Sequence, residues 1–284
     1  MVRVLEKHDI GGFMMHYVKA IIWIFIIQTT LIFNTNAGKI DRFYLSPGYT
    51  NLNAIFKEYQ SYPEINDHTK DMLSVFTVNV LKEHPEYTNS LIKNFPQFSE
   101  FQKEIVGKAL YYIKGNAVWD LLNLHDSIFK NLVISFKYPE VLTIESPVKT
   151  EEDLIPKANN TDFIWMSFYA TGKPEYLIQI LKFLANEDLF VKTAGHEILN
   201  RDMIQKGLTK ATVKEAPFDI KDIMKVLKAN DPTGKKHLEL RAISYYAILK
   251  SMEGNANQYK HIAKIVAKLI KNDPSLDYAK DVRL

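Results

Sequence analysis

Few residues in this 284-residue chain stand at spacings that could do chemistry. "HEILN" at 196–200 begins as a zinc-binding helix would, with His196 and Glu197. Two metal ligands on one helical face need a second imidazole four residues on, and Asn200 stands there. His68, His84, His125, His196, His237 and His261 follow the N-terminal segment, and none lies within five residues of another. "ATGKPE" (170–175) and "PTGKKH" (232–237) each hold a Gly-Lys pair, yet Ser167 and Ala229 occupy the place of the earlier loop glycine. Neither lysine is followed by Ser or Thr, so the backbone cradle for phosphate is incomplete in both. A Gly-x-Ser-x-Gly elbow, which would expose a nucleophilic serine, does not occur. Glu151, Glu152 and Asp153 follow Thr150 directly, a pattern that suits a helix N-terminus complementing the dipole better than a catalytic acid pair. No catalytic, cofactor-binding or metal-ligating residue is nominated from these motifs, and the expectation leans away from an enzyme.

Composition narrows the classes further. The chain is 46% hydrophobic and 24% charged, ordinary for a folded protein with a sizeable core. Lysine and arginine exceed acidic residues by only three, spread along the chain, which gives no basis for a nucleic-acid partner. Cysteine is absent, which removes disulfides, thiolate metal sites and cysteine nucleophiles together.

The elements that would position any site are helices. "LNAIFKEY" (52–59) sets Leu52, Ile55, Phe56 and Tyr59 on one helical face, and Met72, Leu73, Phe76, Val80 and Leu81 do the same before Pro85. Residues 95–129 read as two helices split near Gly115-Asn116. The stretch 131–160 is β-branched and holds Pro139, Pro147 and Pro156; it is expected to be a long connection or a short β element. From 161 an aromatic helix capped by Thr161 or Asp162 carries Phe163, Trp165, Phe168 and Tyr169. Thr171-Gly172 turns it into a second helix led by Pro174, with Tyr176, Leu177, Ile180, Leu181 and Leu184 inward. "IMKVLKANDPT" (223–233) and "IVAKLIKNDPS" (265–275) share a pattern at a 42-residue offset, the length of a two-helix repeat. In the last helix Tyr259, Ile262, Ala263, Val266, Leu269 and Ile270 face one way, while Lys260, Lys264, Lys268 and Lys271 line the other. That lysine strip is a solvated face or a weak contact for an anionic surface. The expected fold is all-α, with stacked antiparallel helical hairpins in an α-solenoid-like arrangement. Its lobes are 38–130 and 161–284, joined by 131–160.

The N-terminal segment is the most explicit feature. Ala20–Phe33 is an apolar run of 14 residues interrupted by Gln28, Thr29 and Thr30, against about 20 needed to span a bilayer. Lys19 precedes it, and Asn34-Thr35-Asn36-Ala37 ends it in small and polar residues. The pattern is that of a cleavable signal peptide over 1–37, with an uncleaved membrane anchor as the alternative. Counting from Met14 or Met15 gives that signal an ordinary length.

"WMSFYATGKPEYLIQIL" (165–181) resembles a segment of uncharacterised exported all-helical bacterial proteins, built of TPR- or HEAT-like hairpins. The resemblance covers about 162–270 and describes a hairpin rather than a site; it implies a helical fold and the bacterial envelope. It supplies no catalytic residue and no cofactor. Together these features lead to an exported protein, periplasmic or secreted, that binds or scaffolds a protein or peptide. The alternatives are an envelope hydrolase with an unrecognised site and a secreted effector.

Overall fold

The helices follow one another almost without interruption, each begun or ended by a residue suited to the task. The computed structural model describes residues 40–62, 65–140, 142, 144, 151–205, 225, 229 and 238–276. Contacts divide the chain at Ala37/Gly38, and Gly38–Leu284 forms one compact unit. A 3-10 turn at Phe43–Leu45 leads into α1 (Tyr49–Gln60) and α2 (Asp67–Glu83). The Asn66 side chain caps α2 by accepting from the Thr69 amide at 2.8 Å. Next come α3 (Tyr87–Asn94), a 3-10 turn at Phe95–Gln97, and α4 (Glu100–Lys114), which starts in a full capping box of Ser99 and Gln102. Gly115, at φ +59°, ends α4. Two short helices follow where the sequence predicts one: α5 (Ala117–Leu122) stops at left-handed Asn123, and Asp126 caps α6 (Ser127–Ser135).

Next are α7 (Glu151–Thr171), α8 (Pro174–Asn186), α9 (Leu189–Gln205), α10 (Leu238–Gln258) and α11 (Lys260–Asn272). The fold is all-α, and no strand occurs among the described residues. The stretch 131–160 holds the end of α6 and the first turns of α7, which begins ten residues before the expected cap. Buried Leu154, Lys157, Thr161, Ile164 and Phe168 make one continuous inward stripe. Lys157 and Thr161 disguise that stripe in the sequence. Thr161 does not cap: its hydroxyl donates to the Lys157 carbonyl at 2.9 Å, inside the helix.

The core is built around α2, α7 and α10. α2 packs against α4 and α7, α7 also against α8 and α10, and α10 against α9 and α11. Residues from both sides of the expected inter-lobe connection therefore share one core. Phe76 on α2 and Trp165 and Phe168 on α7 are fully buried in it. Gly172 turns α7 into α8 at φ +68°, and its amide donates to the Phe168 carbonyl at 2.7 Å. Among the described residues no helix is long and apolar enough to cross a membrane.

Candidate functional site

α6 carries more apolar side chains than one buried face can hold: Ile128, Phe129, Leu132, Val133 and Ile134 fall within nine residues. Its N-terminus is set by Asp126, whose carboxylate accepts from the amides of Ile128 at 2.8 Å and Phe129 at 3.3 Å. Phe129 and Val133 pack on α4 at Gly107, where a Cβ would stand 3.1 Å from an atom of each. The ring of Phe129 also meets Phe95 edge-on at 6.3 Å. With those two side chains used, the others turn outward. Ile128 is 80% exposed, Ile134 45% and Leu132 42%, and Leu121 on neighbouring α5 is 49% exposed. Ile128 and Leu132, four residues apart, lie on one side of the helix. The position is firm, because Trp119 of α5 stacks on Tyr111 of α4 at 5.3 Å and Lys130 holds its ammonium 5.5 Å above the Trp119 ring.

Polar side chains inside the molecule fall into two kinds. Most are satisfied and join helices. Asn79 on α2 donates to Ser167 Oγ of α7 at 3.0 Å and accepts from Tyr138 at 3.3 Å and Tyr176 at 3.4 Å. The Trp165 indole donates to Ser251 of α10 at 2.8 Å, and the Tyr169 hydroxyl donates to Asn255 of the same helix. Lys108 of α4 pairs with Glu104 and with Asp71 of α2, each at 2.8 Å, and Lys70 holds the other Glu104 oxygen at 2.9 Å. His68 and Asp162 join α2 to α7 at 2.8 Å, with the His68 ring on Phe163. These groups are structural cement.

The second kind is unsatisfied. Lys157 buries its ammonium without a hydrogen-bond partner, 4.6 Å above the Phe183 ring. Burial pulls it down to about 8, against the opposing charges of Glu187 and Asp153. Around the first 3-10 turn, four polar groups from three elements share this state: both Asp41 carboxylate oxygens, the hydroxyls of Tyr44 and Tyr59, and Nε2 of His261. Asp41 is 1% exposed, and burial pushes its carboxyl up to about 6 despite Arg42. Its charge in turn raises Tyr44, whose burial is the larger cause, to about 12. Burial holds the His261 imidazole below its usual range, so the ring is neutral near pH 7.

Comparison with protein-family models, with curated proteins and with solved structures returns no match. The functional reading therefore rests on these side chains.

The residues singled out in the sequence take definite places. Trp165, Phe168 and Tyr169 are core, Tyr176 is half-buried on Asn79, and Gly172 lies against the Tyr44 ring. Glu151–Asp153 open α7. His196 packs edge-on against Tyr245 at 5.7 Å. Lys260, Lys264, Lys268 and Lys271 are all exposed, opposite buried Ile262, Val266 and Ile270. No group of three metal-ligating side chains gathers among the described residues. The segment 1–37, "PTGKKH" and, apart from Lys225 and Ala229, the first copy of the 42-residue similarity lie outside the described residues; in the second copy, Asp273 caps a 3-10 turn by accepting from the Ser275 amide at 2.9 Å. Sequence reasoning missed two features. The apolar excess of α6 was visible as five apolar residues in nine, whereas nothing in "KIDRFYL" marks Asp41 as buried.

Proposed function

We propose that this chain is an exported envelope protein whose helical body binds a partner protein through the outward face of α5 and α6. The observation that carries the reading is the exposure of Ile128, Leu132, Ile134 and Leu121 on helices firmly packed from behind. Exposed single leucines are common, but a helix that stays apolar on its solvent side is costly to keep soluble without a use. A protein surface that covers these side chains would gain about 25 cal/mol for each Å² of apolar area removed from water. Such a face suits an amphipathic helix with its own apolar stripe. Export is supported by the charged, apolar and small-residue order of 16–37.

The test is site-specific photocrosslinking in living cells, with benzoylphenylalanine placed at Ile128 and, as control, at Lys264. The reading expects one adduct of defined mass from position 128 in the envelope fraction, lost on Leu132→Glu. No adduct, or the same adducts from position 264, contradicts it.

A further inference from the structure

α11 carries four lysines and no acidic residue from Lys260 to Asn272. At about 100° per residue, Lys260, Lys264, Lys268 and Lys271 share an arc of roughly 80° along about 16 Å of helix. That arc faces water. All four lysines are exposed, with Ala267 exposed beside them, while Ile262, Val266 and Ile270 are buried where the helix packs on α8 and α10. Elsewhere on the surface lysines meet carboxylates, as Lys103 meets Glu100 at 2.7 Å and Lys173 meets Glu83 at 2.5 Å. Among the described residues the four lysines of α11 form no such pair. The acid next in sequence, Asp273, is engaged in its own turn, where it accepts from the Ser275 amide at 2.9 Å and hydroxyl at 2.6 Å. Arg42 adds a fifth cation beside the first turn of α11. Its side chain is 61% exposed, its Nε stays 3.6 Å from buried Asp41, and its charge is felt at Tyr259 and His261.

We propose that this face of α11, with Arg42 beside it, seats the protein on a bilayer rich in anionic phospholipid. The apolar side chains of the helix are committed to the core, so the helix does not insert. The contact is between ammonium groups and lipid phosphates at the bilayer surface. Lysine suits such a surface, because a hydrated point charge on a flexible stem can follow phosphates that move laterally. A shaped protein partner calls instead for apolar anchors or planar arginine forks at the centre of the contact, and the outward arc offers only Ala267 among its lysines. A nucleic acid is disfavoured by a net charge of only +3 for the whole chain. This surface lies on a different helix from the apolar face of α5 and α6, and the proposal depends neither on that face nor on the fate of residues 1–37.

The experiment sediments the protein recovered from cells with vesicles of phosphatidylcholine alone, and with vesicles holding an equal amount of phosphatidylglycerol. Lipid titrations give the two partition constants, and their ratio is the readout. An excess on the mixed vesicles is expected at about 0.1 M salt and should vanish at about 1 M, where the screening length falls from about 10 Å to about 3 Å. Lys264→Gln with Lys268→Gln should lower the excess about 25-fold, at about fivefold for each lysine near the surface, whereas Lys264→Arg with Lys268→Arg keeps it. Lys93→Gln with Lys114→Gln removes the same charge from exposed sites on α3 and α4, and should leave the excess unchanged. An unchanged melting temperature in each variant shows that the fold is kept. Equal partitioning of wild type to both kinds of vesicle, or an equal loss from the two glutamine pairs, overturns the proposal. So does retention of wild type on immobilised polyglutamate with no excess on the mixed vesicles, which would assign the face to an acidic protein.

Discussion

Gly172→Ala adds one methyl group at the turn between α7 and α8, and the structure sets two separate costs. Gly172 sits at φ +68°, where a side chain costs about 1 kcal/mol. The new Cβ would also stand 2.4 Å from Tyr44 Cδ2 and 2.9 Å from Cγ. Carbon atoms rest at about 3.5–4.0 Å, so the ring must move by roughly 1 Å. It has little room, because Tyr44 packs on Phe168 with centroids 5.1 Å apart. Overpacking of this kind costs about 1–3 kcal/mol. The sum is about 2–4 kcal/mol, read as a shift of the urea midpoint at constant slope. The same substitution in a Tyr44→Ala background should cost only about 1 kcal/mol, since the clashing ring is gone. A Gly172→Ala chain within about 0.5 kcal/mol of wild type would refute the reasoning. An equal cost in both backgrounds would show that the Tyr44 contact plays no part.

Other outcomes follow from the same physics. Lys157 has a folded pKa of about 8, below its unfolded value, so the cost of its buried charge is full below pH 8 and is relieved as pH rises toward 10.5. Lys157→Met should therefore stabilise the chain by about 1–2 kcal/mol at pH 7, and urea titrations should show the gain vanishing by pH 10.5. Glu104→Ala strips Lys108 and Lys70 of a shared carboxylate between α2 and α4. With Asp71 still holding Lys108, a loss of about 2–3 kcal/mol is expected, smaller for Glu104→Gln. Ile128→Glu together with Leu132→Glu should cost no more than about 1–2 kcal/mol, because Ile128 is 80% and Leu132 42% exposed, while abolishing the crosslinked adduct. A large fall in melting temperature would mean that the face is part of the core.

Much of the helical framework was legible because its stripes are purely apolar. Leu52, Ile55, Phe56 and Tyr59 are all buried as their spacing predicts, and the α7–α8 hairpin turns at Gly172 with Pro174 leading α8. The first turns of α7 were not legible. Their inward positions are filled by Leu154, then Lys157 and Thr161, and a polar residue on a buried stripe breaks the pattern that signals a helix. Pro156 added to the disguise, although one proline near the start of a 21-residue helix removes a single hydrogen bond. The packing of α2 on α7, which unites the two halves, depends on contacts between segments remote in sequence, so hairpin-by-hairpin reading does not reach it. The Asp41 cluster was hidden for the same reason. Its members come from residues 41, 44, 59 and 261, and only the fold brings them together.

Export with cleavage after Ala37 underlies the proposed envelope partner, and N-terminal sequencing of the protein from fractionated cells tests it most directly. The account predicts a terminus at Gly38 in the soluble envelope fraction. An intact 1–37 segment, whether in the membrane pellet or in the cytoplasm, would contradict it.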